Sequence, residues 1–263
     1  MKIIEFFGLP QSGKSSIVEI LIRSLNGKKD ITNYRQVTIY HLFKKNKISY
    51  IEYVYWLYFE KKREKNLNRD FKLLKKKQNN NIKKFFKKLL PSRSVLSLKI
   101  DDLYNLNKGK HLRYIKFIED LSHKYAAEEE LKNIFDWIKF EISGYELKKE
   151  YPKKIMINSE GFYQICLSLI IRINLDKKEI EDYINLCPDI DQLYILINKD
   201  IVRENLEKYM ISKSNSFNYN RDFIKKYFYT IKFLKKKLNT TIYLIRFSQL
   251  NNISNKISKE LVR

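Results

Sequence analysis

The chain has 263 residues, 44% hydrophobic and 14% aromatic, and its 53 Lys and Arg against 30 Asp and Glu leave a net charge of +23. That length supports one sizeable core, and that apolar content excludes a chain disordered throughout. The positive balance favours anionic partners such as nucleotides, nucleic acid or acidic membrane surfaces, although Lys, Asn and Ile are in excess together, the mark of drift toward A and T codons, so part of the charge is compositional.

The chain opens on Ile3-Ile4-Glu5-Phe6-Phe7, which reads as a buried strand, and runs straight into Gly8-Leu9-Pro10-Gln11-Ser12-Gly13-Lys14-Ser15. These eight residues match G-x-x-x-x-G-K-[ST] without deviation. Ser16–Leu25 follows with apolar residues at 17, 18, 21, 22 and 25, the face of a helix. Glycines at both ends of the loop let backbone N–H groups turn inward on phosphate oxygens. The helix start adds free N–H groups and the positive end of its dipole, Lys14 a mobile cation, and Ser15 a hydroxyl for Mg²⁺. With six glycines in the whole chain, two at this spacing before Lys-Ser are a specific signal. Met1–Phe7 is too short an apolar run for a signal peptide.

Gln36–Tyr40, β-branched and aromatic after the turn-prone Asp30–Asn33, predicts a second strand with Arg35 at its entrance. From Ile48 to about Tyr151 the pattern is helical, with stripes at Tyr50, Tyr53, Val54, Leu57 and Tyr58, at Leu112, Ile115, Ile118 and Leu121, and at Leu131, Ile134, Phe135 and Ile138. Within it, residues 61–90 hold thirteen Lys or Arg and two Asp or Glu, either a solvated helical face or a surface for nucleic acid or an anionic membrane. Strands are expected again at Lys154–Asn158, Gln192–Asn198 and Thr240–Arg246, and helices at Phe162–Ile173, Asp200–Tyr209, Arg221–Leu238 and Lys256–Val262. Strands alternating with helices at both ends of the chain imply a mostly parallel sheet covered on both faces.

Cys166 and Cys187 lie in apolar stretches with no CxxC partner, which argues for buried thiols in a reducing compartment. His41, His111 and His123 form no cluster. No run of about 18 uncharged apolar residues occurs, so a cytosolic protein without a transmembrane segment is expected.

The opening strand, loop and helix, the segment Ile157-Asn158-Ser159-Glu160-Gly161-Phe162-Tyr163-Gln164, Pro188-Asp189 ahead of Leu193–Ile197, and Thr241–Ser248 together resemble the P-loop nucleoside and nucleotide kinases, particularly the thymidylate-kinase-like branch. The resemblance covers residues 1–25 clearly, 152–209 moderately and 240–263 weakly. It implies an α/β P-loop NTPase three-layer sandwich in a single domain, with its core in 1–47 and 152–263 and a helical insertion at 48–151. ATP or GTP would bind with Mg²⁺ at Gly8, Gln11, Ser12, Gly13, Lys14, Ser15 and Ser16. Ser15 and Glu160 would hold the metal, and Lys14 and Glu160 would be catalytic. The chain departs from the family pattern at Ser159, where an Asp is expected, at Ile165, where an Arg is common, and at Asn205 and Tyr209, where lid arginines usually stand. Arg203, Lys208 and Arg221 lie nearby, out of register.

Two functions fit. One is a kinase passing the γ-phosphate to a small acceptor such as a nucleoside or nucleotide, with Arg35 or Arg113 as anion contacts. The other is a P-loop NTPase or nucleotide switch acting with nucleic acid through residues 61–90. The GTPase signatures are missing; the nearest to NKxD is Asn198-Lys199-Asp200. A sulfotransferase is a weaker third reading, opposed by the intact Gly13-Lys14-Ser15.

Overall fold

The computed structural model describes residues 1–9, 12–25, 30–54, 56–57, 93–198 and 221–262. The expectations for Gln11, the basic stretch 61–90, the lid helix 200–209 with Arg203, Asn205, Lys208 and Tyr209, and residues 212–220 lie outside the described residues.

Five parallel strands form one sheet in the order β2-β3-β1-β4-β5, with β1 at Lys2–Phe7, β2 at Ile31–Thr32, β3 at Ile155–Asn158, β4 at Gln192–Asn198 and β5 at Thr240–Ile245. The central strand β1 is apolar after the exposed Lys2 but for Glu5, and its alternation sorts side chains between two faces. Ile4 and Phe6 join Ile155, Ile157, Tyr194 and Leu196 under α1 (Lys14–Leu25) and the last helix, Leu250–Val262. Ile3 and Phe7 point the other way, with Met156, Leu193 and Ile195, into a larger core.

That larger core is covered by α2 (Tyr34–Lys44) and by helices of the middle and C-terminal thirds. After α3 (Arg93–Asn107) these are α4 (Leu112–Lys124), α5 (Glu128–Glu146), α6 (Phe162–Ile173), α7 (Lys177–Leu186) and α8 (Arg221–Lys237); the last helix, Leu250–Val262, is α9. The protein is thus an α/β chain with an all-parallel sheet and mostly helical content. The helical middle third shares the core of the sheet: Ile115, Ile118 and Leu121 of α4 and Leu131, Ile134, Ile138 and Ile142 of α5 are all buried in it. Leu112, Tyr50 and Val54, expected on apolar stripes, are exposed.

The strand expected at Gln36–Tyr40 is helix α2, and the strand itself is the two residues Ile31–Thr32 just before it. Asn33 caps the helix, its side-chain oxygen accepting from the Gln36 N–H at 2.8 Å. Tyr34, Val37, Thr38, His41 and Leu42 are then buried at a spacing of three and four. The helical period overrides the β-branched composition because this face packs on α5, where Gly144 lets the backbones close: a Cβ there would come within 2.7 Å of Tyr34. Arg35, expected at the mouth of a strand, stands instead in the first turn of α2 with its guanidinium 4.5 Å over the Phe140 ring.

Two further differences are local. Helix α7 falls in a stretch without an expected element, although Asp176 and Glu179 form a reciprocal capping box at its start. The final helix begins at Leu250, six residues ahead of the expected Lys256.

Candidate functional site

The connection leaving β1 leads to one side of the sheet, toward β2, and the one leaving β4 leads to the other, toward β5. In open α/β sheets the crevice beyond the carboxyl ends of such strands is where ligands bind. The segment that begins at Gly8 starts at this point.

Both loop glycines are required by space. A Cβ on Gly8 would stand 2.6 Å from the Leu196 carbonyl oxygen of β4, and Gly13 has φ +89°, in the left-handed region that favours glycine. The loop is tied inward twice: the Ser12 N–H donates to the Leu9 carbonyl at 3.1 Å, and the Gly8 N–H donates to Gln164 Oε1 of α6 at 3.2 Å. Helix α1 starts at Lys14 with no acidic residue in its first turn, so the helix itself supplies no charge against the partial positive charge of its unpaired N–H groups. Ser15 and Ser16 are half-buried in that turn.

Lys14 turns back into the loop. Its ammonium donates to the Gly8 carbonyl at 2.6 Å and the Leu9 carbonyl at 2.9 Å, with Ser12 Oγ at 3.5 Å. The side chain is 8% exposed, and burial pulls its pKa down to about 8 against an opposing pull from the Glu160 carboxylate. The structure therefore brings Gly8, Ser12, Gly13, Lys14, Ser15 and Ser16 together at one end of the sheet, with the half-buried Glu160 close enough to act on Lys14. Arg113 lies in the first turn of α4 and is exposed.

Beneath the loop lies a set of polar residues that motif reading passes over. Glu5 is fully buried on the side of β1 that faces the larger core. Its carboxyl accepts from the Tyr34 hydroxyl at 2.9 Å and from the Phe162 and Tyr163 N–H groups at 3.2 Å each. Glu5 thus does from a neighbouring strand what an N-cap does from within the chain, because Gly161 before α6 has no side chain to do it. Gly161 is also what admits it: a Cβ there would fall 2.1 Å from the Glu5 Cδ. Burial raises the Glu5 pKa to about 7, with the three hydrogen bonds pulling it back.

Asn158, the register partner of Glu5 on β3, accepts from the Tyr34 N–H at 3.0 Å. From α5, Glu141 accepts from the Trp137 indole N–H at 2.9 Å. Burial lifts the Glu141 pKa well above the usual carboxylate range; Glu5 and Glu160 add to the rise, and Arg35 and the Trp137 N–H oppose it. Of these residues only Glu5 carried a signal readable in sequence, as a charge at the centre of an otherwise apolar strand.

The site can receive an anion at the α1 start and holds carboxyl groups beside it. No family model and no curated protein matches the chain. Among the described residues no group of His, Cys, Asp and Glu is arranged as a metal cluster, and no helix is long and apolar enough to cross a membrane.

Proposed function

We propose that the chain is a P-loop phosphotransferase that binds ATP or GTP across Gly8–Ser16 and passes the γ-phosphoryl group to a small acceptor. One observation carries this reading: the buried Lys14 ammonium sits inside its own loop, at the start of a helix whose first turn has no acidic residue and at the switch point of a parallel sheet. Phosphate oxygens are better partners for a cation than neutral carbonyls, so an arriving nucleotide draws Lys14 off Gly8 and Leu9 and onto its β- and γ-phosphates.

In the transfer, an acceptor oxygen bonds to the γ-phosphorus as the bond to the β–γ bridging oxygen breaks. The nucleoside diphosphate leaves with that electron pair, and the acceptor proton passes to solvent, or to Glu160 where that carboxylate serves as base instead of holding the metal. Lys14 and the N–H groups at the α1 start stabilise the charge that builds on the transferring group. The cradle fits a magnesium nucleotide: Ser15 and Glu160 would hold Mg²⁺, which supplies charge neutralisation across the β- and γ-phosphates. The free thiols of Cys166 and Cys187, both buried, and the use of a nucleotide donor suit the cytosol.

Nucleotide binding by equilibrium dialysis, followed by transfer of γ-labelled ATP or GTP with Mg²⁺ to pooled acceptors, tests the reading. Lys14→Ala is expected to weaken nucleotide binding at least about tenfold, the usual worth of a charged hydrogen bond. Wild-type affinity should fall as pH rises through about 8, where the free Lys14 loses its proton, and the alanine variant should lack that slope. Equal binding by both proteins overturns the site. Free phosphate released only with added RNA or DNA, and no labelled acceptor, replaces transfer with the nucleic-acid-coupled NTPase.

A further inference from the structure

Residues 223–259 hold nine Lys or Arg and no Asp or Glu, where the 30 acids of the 263-residue chain would place about four in a stretch of that length. Codon drift acts on the whole chain alike, so a local absence of acids is not its mark. Helix α8 opens this stretch, and its two sides differ. Phe223, Tyr227, Ile231 and Leu234 are buried in the larger core, whereas Lys225, Phe228, Lys232, Lys235 and Lys236 are exposed. Helical spacing gathers these five into one stripe roughly 16 Å long, at 1.5 Å per residue. Elsewhere surface lysines are matched with acids: Lys124 with Glu179, Lys139 with Asp101 and Lys154 with Asp30, at 2.6, 2.8 and 2.6 Å. On α8 the one acid, Asp222, pairs with Lys226 at 2.7 Å, and the four lysines of the stripe have no ion-pair partner among the described residues. Phe228, 40% exposed, stands among them.

We infer that the outer side of α8 binds single-stranded nucleic acid, with the four lysines on backbone phosphates and Phe228 stacked on a base. The inference does not depend on the phosphotransfer reading. A single strand presents phosphates and open base faces together, and cations with an aromatic ring between them meet both. A duplex keeps its bases stacked on one another and leaves Phe228 none to take. An anionic membrane fits less well. A helix lying in a bilayer surface inserts an apolar face, but that of α8 is buried in the core and Phe228 is its one exposed apolar residue. The inner side of the same helix carries Tyr227, stacked on Phe7 with ring centroids 5.9 Å apart. Phe7 directly precedes Gly8, so a bound strand would lie about one helix diameter, roughly 10 Å, from the root of the loop.

The test measures binding of the full-length protein, without nucleoside triphosphate, to short oligo-dT and oligo-rU, to a DNA duplex of equal length, and to vesicles of phosphatidylcholine with phosphatidylserine, across a KCl series. Single strands are expected to bind more tightly than the duplex. Lys225→Gln, Lys232→Gln, Lys235→Gln and Lys236→Gln combined should flatten the log–log salt slope by about 3, four phosphate contacts at roughly 0.7 each. Phe228→Ala should weaken single-strand binding about tenfold, the usual worth of one stacked base, and leave the slope unchanged, while Phe228→Trp should keep wild-type affinity. All five positions are exposed, so unfolding midpoints should stay near wild type. Binding of either oligonucleotide with these variant effects supports the inference, and a preference between them names RNA or DNA as the strand. A slope unchanged in the lysine variant puts the contacts elsewhere on the chain and overturns it. Equal affinity for single strand and duplex, or full affinity in Phe228→Ala, also overturns it. Binding to the vesicles alone replaces the strand with a membrane surface, and binding to none of the probes overturns the inference outright.

Discussion

The two faces of β1 carry different cargo. On one, Ile4 and Phe6 pack with Tyr194 and Leu196 beneath α1 and α9, and the buried part of that face is apolar. On the other, Glu5 stands between Ile3 and Phe7 and reaches Tyr34, the start of α6 and the surroundings of Asn158. The first face anchors α1, and with it the loop at Gly8–Ser15, by burial alone. The second face places a charge in the interior and surrounds it with donors, an arrangement that adds little stability but fixes where neighbouring elements sit. The difference teaches that helix α1, which follows the loop, is anchored by apolar packing on one face of β1, while the other face carries polar groups.

The largest effect should come from the apolar face. Phe6 is fully buried and stacked on Tyr194 with ring centroids 5.3 Å apart. Phe6→Ala should cost about 3–5 kcal/mol in urea unfolding, through lost burial and the cavity left behind. A loss below about 1 kcal/mol would mean that this face does not anchor the loop.

On the polar face the sharpest geometric constraint is Gly161. Gly161→Ala puts a methyl group into the Glu5 carboxyl and forces that carboxyl off the α6 N–H groups, for a loss of roughly 2–3 kcal/mol. Most of that loss should disappear when Glu5→Ala is the background, because the clash is then gone. Purely additive costs in this double-mutant cycle would contradict the pairing of Glu5 with Gly161.

This contrast also explains what could be read in the sequence. The loop pattern, α6 at Phe162–Ile173 and β4 at Gln192–Asn198 were legible because each depends on neighbours along the chain. Glu5, Asn158 and Glu141 become neighbours only through the fold, and no spacing announces that residues 5, 141 and 158 lie near one another. The Gln36–Tyr40 stretch misleads for a related reason. Its composition favours a strand, but the Asn33 cap and the close approach of α5 at Gly144 favour a helix, and the second of these is a long-range contact. Helix α7 was missed although its Asp176 and Glu179 capping signal is local.

The charge on the polar face has a pH signature. Burial lifts the folded pKa of Glu5 to about 7 from an ordinary value of 4.5, so the folded state holds its proton more tightly than the unfolded chain does. Stability from this group is therefore fully present below about 4.5 and is lost as pH rises through about 7. Glu141 is raised in the same direction and adds to that slope. Relative to wild type, Glu5→Gln should gain on the order of 2–3 kcal/mol across this window, because glutamine does not titrate. A constant difference between the two proteins from pH 4 to 8 would show that Glu5 titrates normally.

Tyr34→Phe is the smallest and most selective perturbation. The ring keeps its edge contact with Phe162, at 5.6 Å between centroids, and only the hydroxyl that donates to Glu5 is removed. The direct cost should be about 1 kcal/mol, the net worth of one hydrogen bond. Its sharper consequence lies in the titration. The Tyr34 hydroxyl is one of the groups that stabilise the Glu5 carboxylate, so without it the folded pKa moves further up and stability begins to recover at a higher pH on acidification. A stability profile that drops uniformly, with its pH midpoint unmoved, would show that Tyr34 supports Glu5 by packing alone. A midpoint shifted upward would show that the polar face of β1 acts as one hydrogen-bonded unit, which the packing of Ile4 and Phe6 on the other face cannot imitate.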